Sequence, residues 1–280
     1  MKRKYELTDI THVHKGEGNH VVLYRIRATH DIPQYGVKTG DLGGWVESKR
    51  NLVQSGSSWI SADAKVYGKA QISGDALVCD RAEVYGSAKV YDDAQARGSA
   101  KVCGKAKVYG SAEVYGKAKV YGNAQIYGNA KVYGEAKVFG NAQIYGSAKV
   151  YGKATIFDGV NIYGMAEIYD YARALEDAQI YGRAKVFGST HVDYRSQAYG
   201  DAKVSEDAYL FSAAQVYGHA EVYGWCHICD DAQVHGNAKV CGSARIHRGI
   251  NLCDDAQVDG NQTMGTPIYG DKPPYPGWPD

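Results

Sequence analysis

The chain has 280 residues, with 32 Lys and Arg against 31 Asp and Glu. A formal charge of +1 gives neither a polyanion-binding footprint nor an acidic mimic of nucleic acid, so a nucleic-acid partner is not expected. The composition is skewed instead towards 34 Gly and 24 Tyr, and no stretch is long and apolar enough to span a bilayer.

The start, MKRKYELTDI, lacks an apolar run after its basic residues, so a soluble, unexported, cytoplasmic protein is expected, with no membrane partner. Residues 1–57 keep no fixed period and read as an N-terminal β cap. Tyr5-Glu6-Leu7-Thr8 and Val21 to Arg27 read as strands paired around the polar turn His14 to Asn19. Ile32-Pro33 and Thr39 to Gly44 are turn-rich, while Trp45 and Trp59 supply large apolar surfaces where the next segment begins.

Residues 58–260 repeat with a period of six, and from Ala64 to Ala256 the frame runs through about 33 hexads without insertion or deletion. In each hexad a small residue, a polar residue and an aliphatic one alternate, as in Ala130, Lys131 and Val132, which describes a short half-buried strand. Tyr133, Gly134 and Glu135 follow, and Gly permits the positive φ of a corner. Three hexads close a coil of about 18 residues, and two would close a flatter one. The expected fold is all-β: a single-chain parallel β-helix of about 11 coils, roughly 50 Å long at about 4.8 Å per coil. An open solenoid end exposes unpaired strand edges, which is why a cap is needed.

The spacing of Val132 to Ala136, Val138 to Ala142 and Ile144 to Ala148 resembles the hexapeptide-repeat proteins. That resemblance implies a left-handed, triangular β-helix. A narrower one runs through Leu23 to Ala28, Gly40-Asp41-Leu42-Gly43-Gly44-Trp45-Val46-Glu47-Ser48, Asn51-Leu52 and the Tyr-Gly hexads. These look like the YdcK-type β-solenoid family of bacteria and their phages, whose members are commonly labelled acyltransferases through their repeats. The resemblance covers nearly the whole chain, and it carries fold more safely than function.

Taken every 18 residues, the outward strand positions form three unlike columns. One is mainly basic, with Lys65, Lys101, Lys119, Lys137, Arg173 and Arg245 among Glu83, Thr155, His191, Tyr209 and His227. A second alternates Glu113, Lys131, Lys149, Glu167, Lys185, Lys203, Glu221 and Lys239, a solvated face. The third carries no charge after Lys107: Gln125, Gln143, Asn161, Gln179, Gln197 and Gln215. Beside it run Tyr127, Tyr145, Tyr163, Tyr181, Tyr199 and Tyr217. Stacked coils are expected to let the amides bond along the ladder and the rings stack, a common result of repetition. A flat uncharged strip bordered by Tyr is also the best candidate binding face.

Cys79, Cys103, Cys229, Cys241 and Cys253 occupy Tyr slots and Cys226 an inward slot, so they substitute within the repeat rather than form a disulfide framework. Stacking places His235 with Cys253 and Cys229 with His247, but on different corners, and each pair has half the ligands zinc requires; no metal site is expected. His191, Asp193 and Arg195 interrupt the Tyr-Gly corners, as a polar pocket or, with more weight, as repeat drift. Residues 261–280 form a Pro-rich C-terminal tail whose prolines stop further coils, with Tyr275 and Trp278 placed to fold back or stay disordered.

No catalytic constellation stands out, and the frame admits no long loop to carry one. The first reading is a non-enzymatic scaffold or binding protein needing no cofactor, whose partner is a protein or a second or third copy of itself. The family label implies a CoA-dependent acyltransferase using acetyl-CoA or another acyl-CoA, with a general-base His among His191, His219, His227, His235 and His247. A third reading is a phage host-takeover or nucleotide-sequestering protein using Tyr to stack bases.

Overall fold

The structure is a computed structural model and describes residues 3–16 and 18–265. The tail from residue 266, with Tyr275 and Trp278, lies outside the described residues.

From Lys65 to Val258 the hexads form two-residue strands, each with one outward and one buried residue. Lys131 lies opposite Lys149 and Val132 opposite Val150, so strands 18 residues apart pair in parallel. Ala130, Val132, Ala136, Val138, Ala142 and Ile144 are fully buried. Each turn adds one strand to each of three sheets of 15, 12 and 11 strands. The protein is therefore an all-β parallel solenoid of about 12 turns.

Corners depend on the left-handed backbone. Gly134 takes φ 71°, and a Cβ there would lie 2.9 Å from the Gly152 nitrogen of the next turn. Where Asp replaces Gly, its carboxylate can serve that turn: Asp80 accepts from the Gly98 N–H at 2.8 Å.

The solenoid begins before residue 58. Trp45 and Val46 pair with Lys65 and Val66, Leu52 bridges Ile72, and Trp59 and Ile60 pair with Leu77 and Val78. Six residues separate Val46 from Leu52 but eight separate Leu52 from Ile60, and this wider corner hides the first turn from a fixed-period reading. Buried Asn51 braces it, donating to the Gly68 and Ala70 carbonyls at 3.1 and 2.9 Å and accepting from the Ser48 N–H at 2.9 Å.

Strands β1 (Tyr5–Lys15) and β2 (His20–Ala28) form the expected antiparallel hairpin. β2 then pairs antiparallel with β3 (Leu42–Val46), so antiparallel strands close the edge of one sheet. β3 crosses the core end closely: a Cβ on Gly43 would meet the Ile60 carbonyl oxygen at 2.6 Å. Tyr5 and Trp59 are buried there, and the Tyr5 hydroxyl donates to the Leu52 carbonyl at 2.8 Å. Buried Lys4 donates to Ser58 Oγ at 2.9 Å, and desolvation lowers its pKa to about 8.

Candidate functional site

The 11-stranded sheet brings the expected strip together. Gln125, Gln143, Asn161, Gln179, Gln197 and Gln215 follow one another in register, all half-buried. At the adjoining corner Tyr127, Tyr145, Tyr163, Tyr181, Tyr199 and Tyr217 stack with centroids 4.7 to 5.0 Å apart and planes within 6°. The stack continues back to Tyr109 and Tyr91 and ends on His235, 4.6 Å from Tyr217.

The amides do not bond along the ladder as expected. At Tyr109, Tyr127, Tyr181, Tyr199 and Tyr217 the stacked ring is held so that its hydroxyl reaches a glutamine amide of the next turn, while Tyr145 and Tyr163 make no such bond among the described residues. Tyr127 donates to Gln143 Oε1 at 3.3 Å, Tyr181 to Gln197 at 3.3 Å and Tyr199 to Gln215 at 3.4 Å. Burial raises the hydroxyl pKa of Tyr127, Tyr181 and Tyr199, keeping them neutral donors. With their oxygens engaged, the NH2 groups of Gln143, Gln197 and Gln215 have no protein acceptor among the described residues and remain for water or a partner.

The mixed face neutralises itself instead. Lys131 pairs with Glu113 at 2.6 Å, Lys149 with Glu167 at 2.9 Å and Lys203 with Glu221 at 2.9 Å.

The five histidines named for acyl transfer are not gathered at one cleft. His219 is exposed near Asp201, and His235 Nε2 lies 2.6 Å from Asn251 Oδ1. His191 and His227 flank Tyr209 on the basic column, with ring centroids 4.7 and 5.2 Å away. Desolvation, helped by Arg173 and Arg245 respectively, lowers both to about 4, which leaves them weak bases at neutral pH.

The corner beside that column departs most from the repeat. Glu176-Asp177, Tyr194-Arg195 and Ser212-Ala213 take positive φ in adjacent pairs. Asp193 is buried with Oδ1 unpartnered, and burial, with Glu176 nearby, pushes its carboxyl up to about 7. Arg195 is exposed while Arg173 supplies the opposing charge, so His191, Asp193 and Arg195 do not close a pocket. Further along, Cys229 Sγ lies 2.8 Å from His247 Nδ1, with Asp230 beside them. Stacking by 18 predicts the Cys229–His247 pair but does not bring in Asp230, which occupies a slot that Gly fills elsewhere.

A parallel β-solenoid with a repeated lateral strip, rather than a single deep cleft, is the class that this architecture defines. The family profile that matches is the YdcK Beta solenoid repeat, over residues 178–194, so the chain carries a solenoid repeat of the YdcK type. That stretch includes Gln179 and Tyr181 of the strip and ends at Asp193 and Tyr194 of the irregular corner. No curated protein matches the chain.

Proposed function

We propose that the protein is a non-enzymatic binding solenoid that seats a flat protein surface on the amide and tyrosine strip, with a second copy of the chain as the first partner to test. The observation that carries this reading is the unbroken stack from Tyr91 to His235, joined to an amide column without charge after Lys107. Stacked rings held by neighbours on both sides lose little further freedom on contact, and Tyr combines apolar area with a polar tip. Interface cores are depleted in charge, as this column is and the other two faces are not. The reading needs no cofactor.

Gln143→Arg combined with Gln179→Arg tests it. Both positions are outward, so the fold should be kept, while two unmatched charges in a desolvated contact are strongly unfavourable. Light scattering at increasing concentration should show assembly by the wild-type chain and its loss in the double variant, with unchanged circular dichroism. A wild-type chain that stays monomeric and captures no protein that the variant releases would overturn the reading. So would micromolar binding of acetyl-CoA with turnover of an acceptor, which the acyltransferase alternative requires.

A further inference from the structure

Cys229, Asp230 and His247 form a cluster on a different corner from the strip. Cys229 and His247 occupy equivalent places one turn apart, and Asp230 is held at φ 60° in the slot that Gly fills elsewhere. The thiol sulfur, a ring nitrogen and a carboxylate oxygen lie within 4.8 Å of one another. Nδ1 of His247 is 2.8 Å from Sγ and 3.7 Å from Asp230 Oδ2. Only 3% of the Asp230 side chain and 7% of the His247 side chain is exposed. Asp230 Oδ2 and His247 Nε2 nonetheless have no hydrogen-bond partner among the described residues.

A buried carboxylate oxygen without a donor is costly, and more so when charged. The thiol–imidazole contact does not relieve it, because it engages neither carboxylate oxygen. A nucleophilic Cys-His pair does not fit either, since Cys229 is 1% exposed and no substrate could reach its sulfur. We propose that a divalent metal ion of the zinc class completes the cluster, bound by Cys229 Sγ, His247 Nδ1 and Asp230 Oδ2 with a water in the fourth tetrahedral position.

The donor set selects the metal. Thiolate with imidazole suits borderline-soft zinc, whereas calcium and magnesium take oxygen donors. Zinc bonds of about 2.3 Å to sulfur and about 2.0–2.2 Å to nitrogen and oxygen put tetrahedral ligands about 3.4–3.5 Å apart. The Cys–His contact would therefore open by about 0.7 Å and the His–Asp gap close by about 0.3 Å, both within side-chain adjustment. On binding, the Cys229 S–H gives its proton to solvent, so affinity rises with pH. Cys229 and Asp230 lie in one turn and His247 in the next, which makes the ion a clasp between neighbouring turns near the C-terminal end of the described ladder. The other stacked pair offers no such set: His235 bonds Asn251, and Cys253 lies 3.5 Å from Asp254.

Chelator-stripped full-length chain titrated with Co²⁺ decides the matter. The expected result is saturation at a single Co²⁺ with a thiolate-to-cobalt charge-transfer band that Zn²⁺ abolishes and Cys253→Ser leaves intact. Cys229→Ser should remove the band, and Asp230→Asn should weaken binding at least roughly tenfold with unchanged circular dichroism. Zn²⁺ should also raise the melting temperature of the wild-type chain. No charge-transfer band in the wild-type chain, which requires no variant to fold, would overturn the proposal; so would a band that survives Cys229→Ser.

Discussion

The turns from Ala106 to Lys153 and the corner running from Leu175 to His247 share one ladder but not one kind of corner. In the first, Gly takes every left-handed corner position and stacked Tyr or Phe fill the corner columns. In the second, Glu, Asp, Tyr, Arg, Ser and Ala take positive φ, and Asp193, Cys229, Asp230 and His247 are buried. Strand-to-strand bonding hardly registers the change, since Lys131 N–H reaches the Ala148 carbonyl at 2.9 Å and Gln197 N–H that of Ala214 at 2.8 Å, whereas the corner bond reverses, with Arg195 N–H reaching back to the Glu176 carbonyl at 3.0 Å. Inward residues and register hold the solenoid, so a corner can take on strain and buried polar groups without loss of the fold.

The largest effect should come from the part both regions share. Ile144 is fully buried with no partner for an ammonium group, so Ile144→Lys should destabilise by several kcal/mol. Lys149 makes a partly exposed pair with Glu167, and Lys149→Ala should change stability by less than about 1 kcal/mol. Thermal melting compares the two; equal shifts would mean the inward and outward assignments are wrong.

Asp193 tests the second region alone. Its carboxyl rises from an ordinary 3.8 to about 7, with burial as the main cause. Between those values the folded chain holds a proton that the unfolded chain releases, so this residue's contribution to stability falls as pH rises from about 4 to 7 and stays low above. Asp193→Asn should therefore be more stable than the wild-type chain at pH 8, by up to roughly 4 kcal/mol, with the gap closing near pH 4. Denaturant melts across that range measure it, and a gap independent of pH would remove the buried-acid account.

Corner geometry gives the smallest contrast. Gly134→Ala should cost about 1–3 kcal/mol, because it adds left-handed strain and a clash with Gly152. Ser212 already sits at φ 55°, and Ser212→Gly should stabilise by less than about 1 kcal/mol. If both changes destabilise alike, the two corners are not under different strain.

What could be read from the chain follows the same division. Alternation of Ala and Val against Lys and Gln made the strands, the faces and the stacked tyrosines legible, because each rests on period and little else. The first turn was not, since the wide corner between Leu52 and Ile60 breaks the period while leaving the pairing intact. Nor was the bonding of Tyr127 to Gln143, which depends on where a stacked ring holds its hydroxyl rather than on which residues share a column. Asp230 was hidden for a related reason: an acid in a Gly slot reads as a turn, and only packing shows that it is buried against Cys229 and His247.

The uninterrupted frame from Ala64 to Ala256 also governs how such a chain can change length. Duplicating or deleting 18 residues would lengthen or shorten the stack by about 4.8 Å and leave every later side chain on its own face. A gain of only six would spare the core but carry all later residues to the next face, so amides would continue the mixed Glu and Lys column and tyrosines would meet foreign corners. Recombination within the repeat is therefore silent for the interior in steps of one hexad, but silent for the surface only in steps of three.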